Sequence, residues 1–271
     1  MDAAIPMGCR GTCFVEPGLP MSNIGRVNKE MLRLIASAGA AVLLLAALAG
    51  CTIGPMEVVT GSGNVVTENR NLSGFTEIEM AGVGMLVLTQ DGTESVVIEG
   101  EDNILARIRT DVSGNTLRIR GEDNVAFNPT KDLIYRINVS EISRVVMSGA
   151  GSVQAGDVRG ESLTLESSGA GNVNIEKLTA EELKVTVSGV GNVMIGGSAT
   201  RQEVTLSGMG SYQAPNLDTS EASITISGAG GATVKVSDRL SVEISGAGNV
   251  SYTGDPQVEQ KISGAGNVNR R

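Results

Sequence analysis

The chain has 271 residues and a net charge of −9; glycine supplies 36 of them and aromatic residues only 2%. Histidine and tryptophan are absent, which excludes imidazole bases, Ser–His or Cys–His nucleophile pairs and histidine metal ligands. The acidic balance disfavours a surface that tracks phosphate backbones, so no nucleic-acid partner is expected.

The N-terminus reads as an address. Arg26, Lys29 and Arg33 precede a stretch without charge, Leu34 to Gly50, that is rich in Ala and Leu and ends Leu48-Ala49-Gly50-Cys51. Basic start, apolar run and small residues at the end describe a secretory signal. The run is short and Ala/Gly-rich for a membrane span. The Leu-Ala-Gly-Cys end resembles the bacterial lipobox, whose Cys becomes the first residue and carries lipid. Residues 1–30 are therefore expected to be a start-site extension plus the basic region of the signal, with Met21 and Met31 as further candidate starts. Residues 31–50 are expected to be a lipoprotein signal peptide, Cys51 the lipidated residue, and residues 51–60 a short tether. Cleavage before Cys51 removes Cys9 and Cys13, leaving no disulfide, thiol nucleophile or thiolate site in the mature chain. Several acyl chains hold a protein at a bilayer stably. The expected location is the cell envelope, as an outer-membrane lipoprotein facing either the surface or the periplasm, because Thr52 is not the Asp that signals inner-membrane retention.

Residues 61–147 alternate weakly. Ile78, Met80, Val87 and Val96 to Ile98 mark short strands, while Leu117 to Arg120 and Ile134 to Val139 alternate cleanly. Gly82-Val83-Gly84-Met85 and Gly61-Ser62-Gly63-Asn64 look like degenerate copies of a motif that recurs later, and Phe75 and Phe127 are expected to cap the wider end. Gly100-Glu101-Asp102-Asn103 recurs as Gly121-Glu122-Asp123-Asn124. Acidic oxygens in loops can bind calcium, but Asp and Asn also serve ordinary turns. The turn reading is preferred, and no metal or cofactor is assigned.

From residue 148 onward a repeat is plain. Ser-Gly-x-Gly begins at Ser148, Ser168, Ser188, Ser207, Ser227, Ser245 and Ser263. Steps of 18 to 20 residues are too short for helical-pair repeats and fit one turn of a β-solenoid. One and three residues before the Ser lie mostly apolar residues, such as Leu165, Val185, Val204, Ile224 and Val242, with Ser167 and Gln260 as the exceptions. Polar residues alternate with them, the period of a strand with one buried face. A second inward column follows at Val153, Val173, Val193, Tyr212, Ala232 and Val250. Two strands and a Gly corner per turn are expected, with the residue between the two glycines (Ala150, Ala170, Val190, Met209, Ala229, Ala247, Ala265) as a shallow inward position. Strands about 4.8 Å apart place the seven motifs over roughly 29 Å. Asn172, Asn192, Asn249 and Asn267 fall in one outward row, interrupted at Gly231. Such a row can be a hydrogen-bonded ladder or a ligand-binding strip; the ladder is the preferred reading.

The ordered series Gly74-Phe75-x-x-Ile78, Gly82-x-Gly84, Val87-x-x-x-Gln90 and Gly114-Asn115-x-Leu117-x-Ile119, followed by Ser-Gly-Ala-Gly-Asn-Val units, resembles the head GIN domain family, named for auto-transporter adhesins. The resemblance covers residues 61–271. It implies a right-handed parallel β-helix in the cell envelope, often on lipoproteins, and supplies no catalytic motif. No translocating barrel is expected in this sequence.

The resulting expectation is an all-β, right-handed parallel β-solenoid with about 18–20 residues per turn and a less regular N-terminal part. Its function is expected to be non-catalytic: a lipid-anchored, adhesin-like envelope protein, held to the membrane by its anchor, that binds a glycan or protein of a cell surface or matrix. A periplasmic structural or regulatory lipoprotein is the alternative. A polysaccharide-active β-helix enzyme is disfavoured because Asp157, Glu176, Asp218 and Asp238 share no column.

Overall fold

A computed structural model describes residues 56–271; the signal, Cys51 and the start-site question lie outside them. The chain after residue 147 winds into a parallel β-solenoid, and with the strands below it the coil makes about six turns. Strands β11 (Ala150–Ser167), β12 (Val173–Val187), β13 (Asn192–Leu206), β14 (Ser211–Ile226) and β15 (Gly231–Ile244) are long because each bends around the coil instead of stopping at a corner. Each pairs in parallel with the next. Above β15, β16 (Asn249–Thr253), β17 (Gln257–Ile262) and β18 (Asn267–Arg270) continue the two principal faces.

Face one holds the strand before each Ser-Gly-x-Gly, and face two the strand after it. The inward columns read from the sequence line the interior: Leu165, Val185, Val204, Ile224 and Val242 on face one, and Val153, Val173, Val193, Tyr212 and Val250 on face two, are all buried. No turn can bury its own apolar edge, so the stack supplies the core that one repeat lacks.

Three features differ from the sequence reading. First, every central turn carries a third strand segment. Val158, Leu178, Ala199, Leu217 and Val236 point inward on this third face, one apolar residue for most turns. A single apolar position flanked by Gly, Pro and charge leaves no alternation to read. Second, the residue between the paired glycines points outward: Val190 is 51% and Met209 67% exposed. Third, the glycines are needed for stacking. A Cβ on Gly169 would overlap the carbonyl oxygen of Gly149, and one on Gly189 that of Gly169. The corners of successive turns touch backbone to backbone, and only a residue without a side chain fits. The stack starts at Gly82 and Gly84, whose carbonyl oxygens would meet a Cβ on Gly149 and Gly151, so that degenerate copy lies in register with the rest.

The N-terminal part closes the wide end. β3 (Glu77–Ala81) and β4 (Val83–Gln90) form the turn beneath β10 (Arg144–Met147) and β11. β7 (Thr116–Gly121) and β9 (Ile134–Val139) lie one layer lower, parallel to β3 and β4. The parallel order then ends: β6 (Ile108–Ser113) runs antiparallel to β7, and β5 (Ser95–Glu101) antiparallel to both β9 and β2 (Val65–Arg70). A single helical turn α1 (Asp102–Leu105) buries Ile104 and Leu105 over the core. Phe75 is fully buried there, and Phe127 is partly buried against the same core. Among the described residues, β1 (Glu57–Thr60) pairs only with β8 (Val125–Asn128).

Gly61-Ser62-Gly63 takes no part in the glycine stack. It wraps the carboxylate of Glu101, which is almost wholly buried. Gly63 N–H donates to Glu101 Oε1 at 2.7 Å, and Thr130 donates its N–H to Oε2 at 2.8 Å and its hydroxyl to Oε1 at 2.5 Å. Gly61 is required because a Cβ would overlap that carboxylate.

Candidate functional site

Turn length is not constant along the coil. The turn starting at Ser207 has 20 residues and the turn starting at Ser227 has 18. Faces one and two stay in register across this step, so the two missing residues come out of the third face. Pairing there jumps between Ala214 and Asp218 and again between Thr219 and Glu221. Across this step, along the third face, lies an open recess of about 530 Å³ lined by successive turns from Ala180 to Asp255. Ala180, Ala199 and Val236 form its apolar floor, and Ser198, Thr200, Ser220 and Ser237 bring hydroxyls to its rim. Lys235 Nζ and Asp218 Oδ1 pair at 2.6 Å within it, and both side chains are at least half exposed.

Behind the recess lies a polar chain inside the core. Thr219 Oγ1 donates to the carbonyl of Lys235 at 2.7 Å and accepts from Gln202 Nε2 at 2.7 Å. Gln202 Oε1 in turn accepts from the Tyr212 hydroxyl at 2.9 Å. Tyr212 and Gln202 are completely buried. Burial pushes the Tyr212 phenol far above its ordinary pKa, so it stays a neutral donor. Each member is satisfied, which lets polar side chains replace aliphatic packing behind the recess without leaving an orphan group.

The four asparagines lie on the outward side where each turn enters face two. Asn192 donates its backbone N–H and its Nδ2 to Asn172 Oδ1 at 3.1 and 3.3 Å, and Ser211 Oγ donates to Asn192 Oδ1. Asn267 Nδ2 approaches Asn249 Oδ1 at 3.5 Å. The amide oxygens of Asn172 and Asn192 are turned up the stack toward the next turn, and Gly231 separates the two segments.

The two Gly-Glu-Asp-Asn copies do different things. Glu101 accepts backbone N–H groups, and Asp102 accepts from Ser62 and Asn64 at 2.5 and 2.8 Å. Hydrogen bonds from Thr130 hold the Glu101 carboxyl below the usual carboxylate range, and bonds from Asn64 and Ser62 do the same for Asp102. In the second copy, Glu122 accepts from Arg107 and Arg109, and Asn124 takes a left-handed backbone with φ 60°. These carboxylate oxygens face donors of the protein itself. Among the described residues no cluster of three His, Cys, Asp or Glu side chains is arranged for a metal ion.

The recess residues Thr219, Lys235 and Ser237 were not singled out from sequence, and Asp218 entered only as an acid that shares no column with Asp157, Glu176 and Asp238. The change of repeat step from 20 to 18 residues signalled only that one face must shorten near them.

No curated protein matches the chain. The family model described as "Putative auto-transporter adhesin, head GIN domain" matches residues 74–256. Among solved structures, a putative adhesin from Bacteroides fragilis is similar with a TM-score of 0.76 and 27% identity, over 79% of this chain and all of that one. A putative adhesin from Parabacteroides merdae is similar at TM-score 0.63 and 22% identity, over 79% of this chain and 99% of its own. A protein from Parabacteroides distasonis described as a putative lipid binding protein gives TM-score 0.63 at 20% identity, over 79% of this chain and all of that one. The model spans most of the solenoid, from the buried Phe75 to the turn that closes the recess, and the chain belongs to the head GIN domain family.

Proposed function

We propose that this chain is a non-catalytic, adhesin-like binding protein of the cell envelope, anchored by lipid on Cys51, and that it takes its ligand in the recess of the third face. The observation that carries the reading is the recess itself: an apolar floor with a rim of hydroxyls and one exposed Lys–Asp pair, on a rigid stack. Clefts that combine an apolar surface with a few convergent polar groups are the usual binding sites of proteins. The chemistry suits a neutral or zwitterionic polyhydroxyl or peptide segment from a cell surface or matrix. A non-catalytic role is supported by the way the charged side chains pair with one another: Asp218 with Lys235, and Arg201 with Glu221. The anchor is supported by the Leu-Ala-Gly-Cys motif behind its basic and apolar segments.

The test has two arms. Intact cells are treated with a protease, and the purified protein is screened on glycan and matrix-protein arrays. Shaving from intact cells, with binding lost on Ser237→Trp (which fills the recess) while the circular dichroism is unchanged, is the expected outcome. Protection from the protease favours the periplasmic structural or regulatory alternative, and binding untouched by Ser237→Trp removes the recess from the argument.

A further inference from the structure

Around β1 the surface combines features that the recess does not use. Met56 is 63% and Val58 64% exposed, beside the point where the chain enters the domain. Arg107 reaches from α1's end to Glu57 at 3.3 Å and to Glu122 at 3.0 Å, and Arg109 pairs with Glu122 at 2.7 Å. Next to them Arg70, Arg109, Arg120, Asp111 and Glu122 line an open hollow of about 460 Å³. Arg109 is 61% exposed, and the buried Nε of Arg70 has no acceptor among the described residues. Every cation from residue 56 to residue 130 is arginine; the first lysine after Met56 is Lys131.

We propose that this end of the domain is a membrane-docking face that seats on the phospholipid headgroup layer. Guanidinium groups fork onto phosphate oxygens with two parallel hydrogen bonds, which an ammonium cannot do. The carboxylates paired with these arginines keep the cluster near neutral, which suits zwitterionic headgroups, and Arg109 and Arg120, 61% and 50% exposed, present guanidinium edges to solvent beside their carboxylate partners. Met56 and Val58 supply the apolar contact that interfacial seating needs. The proposal rests on the lipid anchor at Cys51, because the anchor fixes which end meets the bilayer. Four residues lie between Cys51 and Met56, five Cα-to-Cα steps with a reach of about 17 Å at full extension. A tether that short keeps β1 within touching distance of the headgroups.

The experiment uses the full chain, processed in bacteria and reconstituted into phosphatidylethanolamine vesicles with and without phosphatidylglycerol. A polarity-sensitive fluorophore is placed on Val58→Cys, with Ser198→Cys as the control, and quenched by lipid-borne nitroxide. The mass of the N-terminal peptide reports separately whether Cys51 is acylated. The expected result is strong quenching at position 58 and little at 198, falling about twofold or more when Arg109→Glu and Arg120→Glu are introduced with the anchor intact. Quenching with phosphatidylethanolamine alone shows that phosphate suffices; dependence on phosphatidylglycerol shows that net lipid charge contributes. Acylated protein with position 58 as water-exposed as 198 overturns the docking face while leaving the anchor. An unmodified Cys51 overturns the anchor, and docking then survives only if position 58 is still quenched.

Discussion

Tyr212 donates its hydroxyl proton to Gln202 Oε1 across 2.9 Å, on adjacent turns and inside the solenoid, where neither side chain meets solvent. The pair continues through Thr219 to the floor of the recess. Tyr212→Phe leaves the amide oxygen without its donor and is expected to cost about 1–3 kcal/mol, the desolvation penalty of an unpaired buried acceptor. Tyr212→Phe with Gln202→Leu removes donor and acceptor together and is expected to recover part of that loss. A double-mutant cycle from urea unfolding midpoints checks this; additive losses would show that the two side chains do not act as a pair.

The corner glycines are not equivalent to glycines elsewhere. Gly169→Ala pushes a methyl into the Gly149 carbonyl one turn below and is expected to lower stability by about 1–3 kcal/mol or more, the cost of overpacking without room to relax. Gly156→Ala meets nothing within 4 Å and is expected to stay within about 0.5 kcal/mol of the parent. Thermal unfolding of the two single variants separates stacking from a general preference for glycine.

Acid should loosen the N-terminal closure first. The Glu101 carboxyl is held below its ordinary value near 4.5, chiefly by the Thr130 hydroxyl and also by backbone N–H groups, and it is opposed by desolvation. A depressed folded-state pKa contributes stability that is present above the unfolded pKa and is lost as pH falls through the folded one. Asp102 and Asp91 are depressed in the same sense by their own hydrogen bonds. Hydrogen-exchange protection of β2 and β5, taken relative to the intrinsic amide rate at each pH, is expected to fall as pH drops below about 4. Glu101→Gln should be less stable at neutral pH and should close the gap with the parent in acid. A constant difference across pH would show that Glu101 ionisation is not involved.

On the outer side of face one, Arg201, Glu221 and Arg239 occupy successive turns with contacts of 3.4 and 3.5 Å. All three are solvent-facing, so Glu221→Gln is expected to change stability by less than about 1 kcal/mol. A larger loss in thermal unfolding would mean that the ladder acts as a network.

The two principal faces were legible because their residues alternate: Leu163, Leu165 and Ser167, or Leu183, Val185 and Val187, read inward at every second position, as the structure has them. The third face was not, because Leu178 or Val236 alone cannot establish a period, and tertiary stacking rather than local pattern makes those residues extended. The outward turn of Val190 and Met209 was also hidden. Sequence shows that Gly flanks them, but only the stacked backbones show that the glycines take the inner space. Glu101 looked like half of a repeated acidic turn. Its partners, Gly63 and Thr130, are 38 and 29 residues away, a separation that no local reading bridges. The repeat lengths marked only the register shift that crosses the recess, and the buried support of the recess, Tyr212 to Gln202 to Thr219, depends on side chains meeting across turns.

The unequal turns carry a design consequence. Faces one and two keep their register across the step while the third face absorbs the two-residue difference. The glycine corners are therefore insulated from changes in turn length, and the third face is the side on which the coil tolerates insertion and deletion. Two residues added after Val236 would lengthen that side alone and leave every glycine contact between turns in place.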